Sequence, residues 1–117
     1  MLLEKILEDI NRSPSVVGSL ICGKDGLLIA HAVPSNIDPE VVSAMASAIL
    51  GTGERSVSEI GHGDLDQVMI EGSSGKTLMR DVGDGVLVVL TQPDVNLGMI
   101  RMDLQRVSKE IKAALEM

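Results

Sequence analysis

The run Ile70-Glu71-Gly72-Ser73-Ser74-Gly75-Lys76-Thr77 ends in the Gly-Lys-Thr that closes the phosphate-cradling loop of many nucleotide hydrolases. That loop needs four residues between its first glycine and the Gly-Lys pair, and a helix directly after the Ser/Thr whose first amides converge on the anion. The spacing asks for glycine at position 70, where this chain has Ile70. The residues that follow, TLMRDVGDG, carry no helical stripe. The run therefore reads as a hairpin turn, with Ser73-Ser74-Gly75 as its loop and Gly75 placed for a positive φ.

Other reactive side chains do not assemble a site. Cys22 and His31 flank a Gly/Asp turn. If the turn is centred at residues 24–25, Cys22 faces Leu27 and His31 pairs near Gly18, about 13 Å of strand away. Cys22 then reads as a small buried hydrophobe. His62, Asp64 and Asp66 share one Gly-containing segment, but no second His or Cys stands at a zinc-like spacing. Asp81 and Asp84 fall around a turn. No nucleophile, base and oxyanion donor come together, so the expectation is a non-enzymatic chain without cofactor or metal.

Composition narrows the partners. The chain has 117 residues, 44% hydrophobic and 23% charged, which suits one domain spanning 1–117 around a single core. It contains no Phe, Tyr or Trp and has a formal charge of −7. Stacking platforms are thus missing, and the net negative charge repels phosphate backbones, whose neutralisation needs clustered Lys and Arg, so no nucleic-acid partner is expected. No apolar run reaches bilayer length, so no membrane is expected either. A lone cysteine, Cys22, fits a reducing, cytoplasmic setting. An acidic surface suits a protein partner with a basic patch.

These residues are positioned by a simple series of elements. Leu3, Ile6, Leu7 and Ile10 recur at helical spacing, and Ser13-Pro14 ends that helix. VVGSLIC (16–22) and LLIAHAV (27–33) make a hairpin. Asp38 caps a long helix over Pro39–Ile60 that Gly61 stops. Strands follow at QVMIEG (67–72), KTLMRDV (76–82) and VLVVLT (86–91), the last apolar enough to be central. Leu97, Ile100, Leu104, Val107, Ile111 and Ala114 mark a closing helix capped by Asn96, with Arg101 and Arg106 on its wet side. The order helix, two strands, helix, three strands, helix predicts an α+β sheet flanked by helices.

The second helix is the informative one. Val42, Met45, Ile49, Ser56 and Ile60 form one stripe, and Val41, Ala44, Ala48, Gly51 and Thr52 lie beside it. That arc is too broad for a helix that buries one face only. Gly51 and Gly53 each cost about 1 kcal/mol inside a helix, which close approach of another backbone at Ala44, Ser47, Ala48 and Gly51 would offset. The strand holding Val68, Met69 and Ile70 has the character of a sheet edge, able to pair with a second copy. Self-association through both elements is the expectation.

The element order, KDGLLIA at 24–30 and NLGMIRMDLQRVSKEI at 96–111 resemble the Roadblock/dynein light-chain family. That resemblance implies a profilin-like, five-stranded antiparallel sheet, with the second helix on one face and the terminal helices on the other. It also implies dimers formed through the second helix and third strand. Family members regulate or scaffold Ras-like small GTPases, the prokaryotic gliding-type versions as GTPase-activating partners, and another branch serves dynein motors. The implied function is a homodimeric regulator of a small GTPase; the alternative is an assembly module clamping a cytoskeletal or signalling protein. Arg55, the only basic residue of the second helix, is the candidate to face a GTPase.

Overall fold

The computed structural model describes residues 2–117. Its elements are α1 (Leu2–Ile10), β1 (Val16–Cys22), β2 (Leu28–Ala32), α2 (Pro39–Glu59), β3 (Gln67–Gly72), β4 (Gly75–Asp81), β5 (Val86–Thr91) and α3 (Leu97–Leu115). The five strands form one antiparallel sheet in the order β2-β1-β5-β4-β3. The fold is the α+β sheet flanked by helices that the element order predicts, with the five antiparallel strands that the family resemblance implies.

The apolar run of β5 sits at the centre, and Val86, Leu87, Val88 and Val89 are all buried. Alternation along it feeds two cores. Leu87 and Val89 join Ile21 and Leu78 beneath α1 and α3, which contribute Leu7, Ile10, Leu104, Val107 and Ile111. Val86 and Val88 join Leu20, Cys22 and Met79 beneath α2, which contributes Ala46 and Leu50. So α2 covers one face of the sheet, and the terminal helices cover the other.

Local chemistry sets the ends of these elements. The Asp38 carboxylate accepts from the amides of Glu40 and Val41, and Pro39 fills the first helical position of α2. Beyond Glu59 the chain turns at Gly61, whose φ of 71° is open to glycine without steric cost. The Asn96 side chain accepts from the Met99 amide at the start of α3. Inside, Ser19 donates to the Asn11 side-chain oxygen at 2.7 Å, and the Asn11 amide donates to the Ala32 carbonyl at 2.9 Å. Together these bonds tie the end of α1 to β1 and β2.

Two expectations about the turns are corrected. Gly75 is not at a positive φ; it is the first residue of β4, paired with Gly72, and the loop is Ser73-Ser74 alone. Glycine is required there for a different reason, since a Cβ would lie 2.8 Å from the Thr91 carbonyl oxygen. The first hairpin also pairs in another register. Leu20 faces His31 and Cys22 faces Leu28, because a bulge between Ile21 and Cys22 absorbs a residue.

A charged tether links that hairpin to the rest. Lys24 in the β1–β2 turn lies 2.7 Å from Asp81 at the end of β4 and 3.8 Å from Glu54 of α2. Partial burial pushes the Asp81 carboxyl up, but hydrogen bonds from the Lys24 ammonium and the Gly83 amide outweigh it and hold Asp81 below its ordinary value. The bond to Asp81 in turn raises Lys24. A depressed carboxyl adds stability above its unfolded value near pH 4, lost as pH falls through the folded value; a raised lysine adds stability below about pH 10, lost as pH rises. Asp81→Asn should therefore cost about 0.5–1 kcal/mol at pH 7, kept small by solvent screening of the partly exposed pair. In urea titrations that difference should close as the pH falls below the ordinary carboxylate range and through the lowered folded value of Asp81.

Candidate functional site

The Gly-Lys-Thr segment is built into the sheet rather than at a helix start. Lys76 and Thr77 lie in β4, and the Lys76 ammonium is tied to the Pro93 carbonyl and to Glu71 at 3.3 Å. Its charge is satisfied within the chain, so this segment has neither the helix nor the available lysine that a phosphate loop needs. The revised hairpin register brings His31 nearer to Cys22 than expected, to about 7 Å of strand, yet they do not form a pair. Cys22 is buried with its sulfur toward the Ser43 carbonyl, while His31 is exposed. Burial pushes the Cys22 thiol up, away from thiolate chemistry at neutral pH. His62, Asp64 and Asp66 are each exposed, and among the described residues no three His, Cys, Asp or Glu side chains converge. Asp81 is engaged by Lys24, and Asp84 is exposed.

What the fold does present is a surface. The side of α2 that meets the sheet is centred on Ser43, Ala46 and Leu50, all buried. Ser43 fits there because its hydroxyl donates to the Pro39 carbonyl at 2.8 Å. Val42 and Ile49 are half-buried against the same core. Two of the small residues are consumed within the chain. Gly53 closes on Leu65 and Val68, with 3.2 Å from a Cβ position to either side chain, and Ser47 abuts Gly26 of the first hairpin.

The opposite side of α2 faces solvent, with only the Ala44 backbone drawn close to Gly26 of the first hairpin. Val41, Ala44, Met45, Ala48, Thr52 and Arg55 recur at helical spacing and are all exposed, Val41 at 52% and Met45 at 53%. A Cβ at Gly51 would find no atom within 4 Å. The Arg55 guanidinium points along this face, 3.4 Å from the Thr52 hydroxyl. Beside it runs β3, an edge of the sheet. Val68 packs toward α2, whereas Met69 and Ile70 are 38% and 42% exposed on the two faces of the strand. The expected interface residues thus divide. Val42, Ile49 and Val68 serve the chain's own core in part; Val41, Ala44, Met45, Ala48, Gly51, Thr52, Met69 and Ile70 remain open.

The Roadblock/LC7 domain profile matches residues 2–91. The chain belongs to the Roadblock/LC7 family. The uncharacterized protein MJ0714 of Methanocaldococcus jannaschii is 53% identical over 112 residues, covering 96% of this chain and 95% of that protein. Among solved structures, a Roadblock/LC7 domain from Streptomyces avermitilis superposes with a TM-score of 0.91 at 19% identity, over 97% and 98% of the two chains. Myxococcus xanthus MglB superposes with a TM-score of 0.90 at 22% identity, over 97% and 94%. Acanthamoeba castellanii profilin IB matches at 0.69 with 11% identity over 96% and 98%, which shows the same architecture in a more distant chain. This Roadblock/LC7 chain therefore shares its fold with MglB and with profilin. None of its helices among the described residues is long and apolar enough to cross a membrane.

Proposed function

We propose that this Roadblock/LC7 chain, acting as one unit over residues 1–117, is a non-enzymatic homodimeric regulator or scaffold of a Ras-like small GTPase in the cytoplasm. One observation carries the reading: the outward face of α2 leaves Val41, Met45 and small residues in water, beside the unpaired edge of β3. A two-fold axis uses both features at once. It would set α2 against its symmetry mate and join β3 to β3, extending one sheet into the next. The paired helices then form a platform for the GTPase, in keeping with the family resemblance and with the MglB-like fold. Such a platform acts by holding switch loops in one of two conformations, through different affinity for the two states.

The test uses a Ras-like GTPase from the same genome, loaded in turn with GDP and with a non-hydrolysable GTP analogue. The chain should bind one state at least tenfold more tightly. Equal affinity for both states would remove the regulatory reading, and capture only of proteins that are not GTPases would favour an assembly module. Arg55 serves here as a docking charge at the edge of the platform. Arg55→Ala should leave any stimulated hydrolysis within about threefold, as exposed charges contribute little. A loss on the order of a thousandfold would instead mark a donated guanidinium acting on the transferring phosphoryl group.

A further inference from the structure

On the sheet face opposite α2, a trough runs between α3 and the β3–β4 strands. Its α3 wall is formed by Arg101, Gln105, Ser108, Lys109 and Lys112, spaced to lie on one side of the helix. Arg80 of β4 lines both ends of it. In a chain of net charge −7 with 10 Lys and Arg in all, four cations gather here.

The charges on α3 are sorted. On the side toward α1, Arg106 engages Asp9 at 3.1 Å, Glu110 at 3.3 Å and Asp103 at 3.8 Å. That cluster uses the acidic residues in the body of the helix. Arg101, Lys109 and Lys112 are left with no ion pair among the described residues, and so is Arg80, whose side chain donates to the Gln67 amide oxygen at 3.5 Å. The Lys112 charge is nonetheless near enough to Asp81 to lower its carboxyl. Two carboxylates touch the trough: Asp81 is held by Lys24, and Asp66 stands at the far end. Beneath the surface, the Arg80 Nε and the Ser108 hydroxyl are both shielded from water and lack a partner. Both atoms lie out of reach of solvent, so a guest would meet the exposed cations of the trough rather than these donors.

We infer that this trough is a docking site for an acidic, extended segment of a partner protein. Its chemistry asks for a guest rich in acceptors and negative charge, and carboxylates offer acceptors only. From Arg101 to Lys112 the wall is about 16 Å long, which matches about five residues of extended chain. A lone small anion would use one end of it. Nucleic acid meets the repulsion of the whole acidic chain and finds no aromatic platform. Since the trough opens on the face away from α2, a guest there leaves the α2 surface uncovered.

The probe is an acetylated, amidated hexaglutamate peptide titrated into the 15N-labelled full chain at low salt. Saturable amide shifts should be confined to Gln67, Arg80 and residues 101–112, weakening at least tenfold between 50 and 500 mM salt as screening grows. Arg101→Glu with Lys109→Glu should lower affinity at least tenfold, and Arg101→Gln with Lys109→Gln by less; both pairs are exposed, and circular dichroism checks the fold. Lys5→Glu, an exposed cation on α1, should change nothing. Absence of saturable binding, shifts centred on α2, indifference to both double variants, or equal affinity for inorganic phosphate or an oligo-dT strand would overturn the proposal.

Discussion

Met45→Glu is expected to turn a dimer into a folded monomer. The side chain sits midway along the outward face of α2, flanked by Val41 and Ala48, and takes no part in either core. Glutamate at this exposed site leaves the isolated chain undisturbed, so far-ultraviolet circular dichroism should not change. In a two-fold interface the substitution appears twice, placing two carboxylates in an apolar seam without partners. An unpaired charge buried at an interface costs about 2–5 kcal/mol, a rise of at least 30-fold in the dimer dissociation constant and more with both copies counted. Light scattering and sedimentation between 1 and 100 μM should show the native chain at twice its monomer mass and the variant at monomer mass. A native chain that stays monomeric at the upper concentration would leave the proposed platform without a basis.

The largest loss of intrinsic stability should follow Leu104→Ala. Leu104 is fully buried on α3 and packs into the core shared with α1, Leu78 and Leu87. Removing a core leucine loses its transfer free energy and leaves a cavity that close-packed neighbours fill only in part, for about 2–5 kcal/mol. The cost should appear as a lower urea midpoint at an unchanged slope. Met102→Ala, two residues earlier and 71% exposed, should stay within about 0.5 kcal/mol. If the native state is the dimer, both midpoints rise with protein concentration, so the comparison belongs at one concentration. A Leu104→Ala cost below about 1 kcal/mol would mean that α3 is not the lid of this core.

Much of this architecture can be read from residue pattern. VVGSLIC, QVMIEG and VLVVLT match the observed strands β1, β3 and β5, because runs of β-branched residues bounded by glycine and polar turns leave few alternatives. Asp38, Pro39 and Gly61 mark the ends of α2 for reasons local to those residues. Pattern fails where distant chain decides. Ser43 and Ala46 face the sheet although neither is a large apolar residue, since Cys22 of β1 lies against the Ser43 carbonyl and the Ser43 hydroxyl finds its acceptor within the helix. Gly53 suggests contact with another molecule from its neighbours alone, yet Leu65 and Val68 of the same chain take up the space. The hairpin register turns on a bulge that counting from the turn does not reveal. The basic trough joins β4 to a helix some twenty residues on, so no linear motif announces it.

The sheet has a second edge, at β2, and its form bears on how far assembly can run. If both edges were equally receptive, copies joined through β3 could go on adding neighbours and grow into a fibre. Here β2 has five residues, its ladder with β1 is interrupted by the bulge, and the Asn11 amide already occupies the Ala32 carbonyl. A short, kinked and partly capped strand is a poor template for another chain. Growth by strand addition from copies joined through β3 would then stop at two, with blunt ends.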